Sequence, residues 1–265
     1  MAATSALSSS SSRVIISLTK PFTPSTLNVL RHALKQTPDL SSNALNSPSG
    51  SSQRGNAAVL IPFCNVGGEP GILLEVRART LRSHSGEISF PGGRIDDTDS
   101  TLMYGALRET HEELGIDPSR VEILGEIGPP EYSLKADMRV WPFVGFIHSQ
   151  SETRPVSDDE PLPSVDMDAI RSQASPSEVA TTIHLPLRAF ASPTRLRASL
   201  FRGRDPYWAI DVTDLVPSDL VEDTTTHKQG ETVDEVGPGI NGRIEVWGLT
   251  GWYLSLLMKV MQIYR

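Results

Sequence analysis

A single cysteine, Cys64, stands among the 265 residues. An internal disulfide is therefore excluded, which fits a reducing compartment. The thiol is also a poor candidate nucleophile, because it ends the apolar run Ala57–Cys64 and reads as a small core residue. No window offers 18 uninterrupted apolar residues, so the sequence shows no membrane-spanning helix. The nearest approach, Trp247 to Tyr264, is interrupted by Thr250, Ser255, Lys259 and Gln262 and reads as a packed helix. Positive charge is scarce as well: 24 Lys and Arg face 32 Asp and Glu, a formal net charge of −8. Such a chain repels a phosphate backbone, which argues against a general nucleic-acid binder. A small anionic substrate stays open if metal ions bridge the two.

Acidic residues are missing altogether before Asp39, whereas Arg13, Lys20, Arg31 and Lys35 precede it and residues 4–12 are mostly serine. That composition fits a mitochondrial transit segment and equally a disordered tail. The expected location is mitochondrial, with peroxisomal or cytoplasmic as alternatives. The last residues, Ile263-Tyr264-Arg265, are not the S-K-L peroxisomal address.

The chain divides into an N-terminal extension, residues 1–54, and a folded domain, residues 55–265. Residues 1–21 read as unfolded. Ser25 to Gln36 reads as a short helix capped by Ser25, with Leu27, Leu30 and Leu34 at helical spacing. Residues 41–56 form a polar linker. Strands are expected at Asn56–Phe63, Gly71–Arg77, Ile88–Gly93, Val121–Ile127 and Val140–Ile147, the first two joined by a glycine-rich turn at 66–70. Two segments, near 149–177 and 217–239, are rich in Ser, Pro, Thr and acidic residues. They read as low-complexity loops or disorder. Residues 178–190 and 207–212 return to structured composition, and Ile244 to Gln262 supplies a final strand and helix. Mixed strands with helices before, between and after them suggest an α/β/α layered domain.

The segment that carries chemistry is SFPGGRIDDTDSTLMYGALRETHEELGI, residues 89–116. Leu102, Met103, Ala106, Leu107, Thr110 and Leu114 fall on one stripe of a helix. Asp99 or Ser100 is placed to cap its start and Gly115 to end it. The opposite face carries Arg108, Glu109, Glu112 and Glu113. Three carboxylates at i, i+3 and i+4 repel one another, and a hard divalent cation such as Mg2+ or Mn2+ would offset that repulsion. Taken alone, Glu-x-x-Glu-Glu reads as readily as a solvated acidic face.

The surrounding residues decide between the two. The segment resembles the Nudix box, G-x5-E-x7-R-E-U-x-E-E-x-G-U with U aliphatic. Gly93 takes the first position, Arg108-Glu109 the R-E pair, Glu112-Glu113 the E-E pair and Gly115-Ile116 the final G-U. Asp99 stands where the box has its first Glu, Thr110 takes an aliphatic position, and eight residues rather than seven separate Asp99 from Arg108. Upstream, Leu81-Arg82-Ser83-His84-Ser85-Gly86-Glu87-Ile88-Ser89-Phe90-Pro91-Gly92-Gly93 is similar to the extra signature of the coenzyme A diphosphatase branch. That branch also carries the longer box and the Asp. Glu178-Val179, Leu185-Pro186-Leu187 and Trp247–Thr250 share its likeness.

The resemblance implies a Nudix-type α/β/α sandwich with a mixed sheet and metal-dependent cleavage of the diphosphate of coenzyme A or acyl-coenzyme A. Two alternatives remain: another substrate such as ADP-ribose, and a catalytically inactive ligand-binding module. It also implies that Glu109 and Glu113 ligate Mg2+ or Mn2+, with Glu112 and the carbonyl of Gly93 as further ligands. Arg108 would pair with a glutamate and fix its rotamer. Glu112 and Glu87 are both candidates for the general base. Arg77, Arg79 and Arg82 are placed to meet phosphate groups, or to form an ordinary solvated strand edge. His84 stands either as a phosphate or proton-transfer contact or as a structural histidine. The substrate is a small molecule, and oligomeric state is not legible.

Overall fold

The computed structural model describes residues 14–36, 55–133, 138–150, 157–222 and 238–264. In chain order the elements are α1 (Pro24–Lys35), β1 (Gly55–Val66), β2 (Glu69–Arg77), β3 (Ile88–Ser89), β4 (Gly92–Arg94), α2 (Leu102–Leu114), β5 (Val121–Glu126), β6 (Glu131–Tyr132) and β7 (Met138–Ile147). There follow α3 (Met167–Gln173), β8 (Val179–Pro186), β9 (Leu196–Phe201), β10 (Asp205–Asp211), α4 (Ser218–Glu222), β11 (Glu245–Val246) and α5 (Gly248–Val260).

Eight strands form one sheet whose main path runs β3-β2-β1-β7-β5. The sheet is mixed: β1 and β7 run parallel over nine residue pairs, from Gly55↔Met138 to Phe63↔Phe146, while the other pairs are antiparallel. Strand alternation sorts the side chains between two faces. Ile61, Phe63, Ile72, Leu74, Val144 and Phe146 point to the face covered by α1 and α5, where they meet Leu27, Leu30, Leu34, Leu254 and Leu257. Ala58, Leu60 and Phe143 point to the other face, against Leu102 and Ala106 of α2. The result is the α/β/α layering expected. A second, three-stranded sheet, β11-β10-β9, is attached beside α5. Its β9–β10 hairpin, closed by Arg202 and Gly203 in left-handed conformations, is absent from the sequence reading.

One irregularity of the main sheet positions the site. The last four residues of β1 pair with β2, but residues 57–59 pair with β4 instead. Meanwhile β3 pairs with the far end of β2, at Glu75 and Val76. The short strands β3 and β4 thus occupy the space where β1 and β2 part, and α2 lies across it.

Several expectations need correction. Residues 14–21 are packed rather than unfolded: Ile16 is buried and the Ile15 amide donates to the Met261 carbonyl. Helix α1 is capped by Thr23, not Ser25, through a reciprocal pair with Thr26 and a proline at the first helical position. Helix α2 is capped by Thr101, because the Asp99 carboxylate is taken by Arg108. The segment 157–177 is ordered despite its composition. Leu162, Val165, Met167 and Ile170 are buried, and α3 is capped by Asp166. Asn65, fully buried, fastens this segment by accepting from the Phe22 amide and donating to the carbonyls of Phe22 and Leu162. Residues 218–222 are helical rather than loop. The Ser-rich N-terminus, most of the linker, and residues 151–156 and 223–237 of the two insertions lie outside the described residues.

Candidate active site at the sheet–helix junction

Gly92 and Gly93 set the close approach of β4 to its neighbours. Gly92 has φ 139°, and a Cβ there would lie 2.3 Å from the Ala58 carbonyl oxygen. Gly93 abuts α2: a Cβ would lie 2.5 Å from Glu109 Oε2. A side chain is therefore excluded at Gly92, where it would strike backbone, whereas at Gly93 it would have to push the Glu109 carboxylate aside. The Gly92 amide donates to Glu113 Oε2 at 2.8 Å. The glycine turn is in this way clasped between two carboxylates one helical turn apart.

Helix α2 keeps the register read from its sequence. Gly115 ends it in a left-handed conformation. Thr110, at the aliphatic position of the motif, is buried but donates its hydroxyl to the Ala106 carbonyl at 2.7 Å, so the polar atom is satisfied.

Arg108 binds more than glutamate. Its Nε and Nη2 donate to both oxygens of Asp99 at 2.9 and 3.0 Å, Nη2 also reaches Glu109 at 3.0 Å and the Arg94 carbonyl at 3.1 Å, and Nη1 reaches Glu112 at 2.9 Å. Asp99 accepts a further bond from the Asp96 amide at 2.9 Å. Burial opposes the charge on Asp99, but the Arg108 and Asp96 bonds outweigh it and hold its carboxyl below the ordinary range. The bond to Asp99, with help from Glu109, pushes the Arg108 guanidinium further towards permanent charge. The one-residue-longer segment between Asp99 and Arg108 is therefore compatible with bidentate pairing.

The other carboxylates are less well served. Burial pushes the Glu109 carboxyl up, against the pull of Arg108. Glu113 is 4% exposed, and burial together with the charge of Glu75 drives its carboxyl well above the ordinary range, despite the Gly92 amide and Arg77. Glu75, fully buried on β2, is driven up by burial against the bonds from Ser89 and Arg77. Sequence reasoning missed Glu75. A charged residue between Leu74 and Val76 reads as the solvent-facing partner of an alternating strand, and only its tertiary surroundings, with Ser89, Arg77 and Glu113 among them, make it a buried acid.

The remaining candidates are placed as follows. Arg77 Nη1 lies 3.3 Å from Glu75 Oε1 and 3.9 Å from Glu113 Oε1. Arg79 donates to the Leu220 carbonyl, and Arg82 is exposed. His84, in a left-handed conformation, holds Glu87 Oε2 at 2.8 Å through Nδ1, and the pair closes the 78–87 loop beside β3. Glu112 is exposed apart from its bond to Arg108. Cys64 is fully buried, and burial pushes its thiol up to about 12, so it is inert.

Among the described residues, no three His, Cys, Asp or Glu side chains are arranged so that they could hold a metal ion as they stand. Arg108 engages Glu109 and Glu112, while the Gly92 amide and Arg77 engage Glu113. The donor set nonetheless fits a hard divalent cation, which takes carboxylate and carbonyl oxygens. Burial forces three carboxylates above their ordinary range against the pull of Arg77 and Arg108, and Glu75 Oε2 is buried without a hydrogen-bond partner.

Residues 54–180 match the model of the NUDIX domain. The chain is similar to the uncharacterized Nudix hydrolase NudL of Cronobacter sakazakii, 46% identical over 110 residues, covering 42% of this chain and 52% of that relative. It is likewise similar to NudL of Escherichia coli O1:K1, 45% identical over 104 residues, covering 39% of this chain and 52% of that relative. The chain thus spans about half the length of the curated relatives it matches. Among solved structures, it resembles the Nudix hydrolase RenU of M. smegmatis, 20% identical with a TM-score of 0.31, covering 47% of this chain and 78% of that one. It also resembles the NUDIX domain of Shewanella oneidensis NrtR, solved with ADP ribose, 16% identical with a TM-score of 0.35, covering 56% and 84%.

Proposed function

We propose that this chain hydrolyses the diphosphate linkage of a nucleoside diphosphate derivative, and that the derivative is coenzyme A or an acyl-coenzyme A. The products are 3′,5′-ADP and 4′-phosphopantetheine or its acylated form. The observation that carries the hydrolytic reading is the clasp of Glu109 and Glu113 on the Gly92–Gly93 turn. The match to the NUDIX domain and the likeness to NudL support a hydrolase acting on pyrophosphate bonds. The finer substrate assignment rests on the Leu81–Gly93 signature.

In this reading Glu109, Glu113 and the Gly93 carbonyl hold Mg2+ or Mn2+, and Glu112 completes the set or orients the attacking water. A cation bound there neutralises diphosphate oxygens and lowers the pKa of a bound water. Arg108 fixes the rotamers of Glu109 and Glu112 while anchored on Asp99. Arg77, on the strand next to Glu113, meets a substrate phosphate as a bidentate partner. Arg79 and Arg82, on the loop that follows, are the candidates for the 3′-phosphate. Glu87, held by His84, and Glu112 are the two candidates for proton removal from water.

A substrate panel tests this. The purified chain is incubated with Mg2+ or Mn2+ and either coenzyme A or ADP-ribose, and products are resolved by chromatography. Release of 3′,5′-ADP from coenzyme A is the expected result. AMP from ADP-ribose alone keeps the chemistry and overturns the substrate. No turnover of any nucleoside diphosphate derivative leaves a ligand-binding module.

A further inference from the structure

Beneath the helix-borne glutamates lies a carboxylate that the sequence motif does not contain. Glu75 reaches the junction from β2 and is fully buried. Its Oε1 accepts from the Ser89 hydroxyl at 2.8 Å and meets Arg77 Nη1 at 3.3 Å. Its Oε2 is buried with no hydrogen-bond partner, and so is the Nε of Arg77. The same Arg77 Nη1 lies 3.9 Å from Glu113 Oε1, too loose for a hydrogen bond. One guanidinium is therefore stretched between two buried acids, with an acceptor on one side and a donor of its own left unused. A buried acceptor and a buried donor left unpaired side by side are costly, and a bound ion or water is one way to satisfy them.

We propose that Glu75 is a ligand of the cation site, binding through Oε2 opposite Glu113, and that Arg77 occupies the place between the two acids which the cation takes. Displaced from there, Arg77 offers both Nε and Nη to phosphate oxygens, which satisfies the unused donor. The inference rests on the cation-dependent reading above and deepens it. The site draws ligands from the sheet as well as from the helix, and the arrival of the cation is linked to the capture of phosphate by one arginine.

The test measures Mn2+ binding to the chelator-stripped full chain by paramagnetic resonance of free Mn2+, alongside thermal unfolding and turnover. Glu75→Gln keeps the size of the side chain and the bond to Ser89. It is expected to weaken Mn2+ binding roughly 10- to 100-fold while the metal-free protein unfolds no earlier than wild type. Arg77→Met is expected to act with the opposite sign, tightening Mn2+ binding several-fold while raising KM. It therefore tests the idea even if Glu75→Gln fails to fold. Mn2+ binding by Glu75→Gln equal to wild type, or Mn2+ binding unchanged or weakened in Arg77→Met, overturns the proposal. Glu113→Gln separates the two levels. If it binds Mn2+ like wild type, the cation reading itself falls and takes Glu75 with it. If it is weakened while Glu75→Gln is not, only the role of Glu75 falls.

Discussion

Two arginines meet buried carboxylates at this junction, Arg108 from α2 and Arg77 from β2, and their circumstances differ. Arg108 faces Asp99 with two parallel hydrogen bonds, and Asp99 gains a third bond from a backbone amide. Arg77 faces Glu75 and Glu113 together, makes one weak bond and one longer contact, and leaves its own Nε and Glu75 Oε2 without partners. The first acid is held below its ordinary range, and both of the others are driven above theirs. A satisfied pair holds a helix to its preceding loop. An unsatisfied group holds free energy that a cation can release on binding, so the second cluster is where chemistry is expected.

The sharpest way to break this comparison is Glu113→Gln. Turnover with Mg2+ should fall on the order of 10^3-fold while the metal-free protein stays folded with an equal or higher Tm. Near-normal turnover would remove Glu113 from the site. Next in size is Gly93→Ala, whose added methyl would meet the Glu109 carboxylate 2.5 Å away. Displacing that carboxylate by about an ångström should cost roughly 10^2-fold in kcat/KM, with circular dichroism unchanged. Wild-type kinetics would mean that the Glu109 position is not used.

The satisfied pair predicts a loss of stability instead. Asp99→Asn should cost about 2 kcal/mol at neutral pH, read from denaturant unfolding. Because the Asp99 carboxyl is held below its ordinary value of 3.8, its contribution is present above that pH and is lost as acid protonates the folded state. The difference between variant and wild type should therefore shrink below pH 3.8. A difference that grows there would reverse the sign of the argument. Smallest is Ser89→Ala, which removes the one hydroxyl donor to Glu75 and should lower metal-free stability by about 1 kcal/mol. Added Mn2+ should restore most of it, and a loss indifferent to Mn2+ would detach Ser89 and Glu75 from the cation.

The contrast also explains what the sequence disclosed. The register of α2 was legible because Leu102, Ala106, Thr110 and Leu114 repeat along one face and Gly115 stops the helix. The strands β1, β2 and β7 were legible from their apolar runs, though each extends further than those runs. Asp99 misled in a small way: its residue type suits a helix cap, but a bidentate partner nine residues on is worth more, and Thr101 caps instead. Glu75 was illegible because strand alternation gives the face of a residue and not what covers that face. Leu162, Val165, Met167 and Ile170 were hidden by the Ser, Pro and Asp around them, although four apolar anchors suffice to pin such a segment to the core.

The central proposal is that this junction cuts the diphosphate of coenzyme A with the help of a divalent cation. Its most direct test follows coenzyme A by phosphorus resonance in the presence of the purified chain, first with Mg2+ and then with excess chelator. The account predicts that the diphosphate signals give way to monophosphate signals with Mg2+, and that the change stops on chelation. Persistent diphosphate under both conditions, or cleavage indifferent to the chelator, would contradict it.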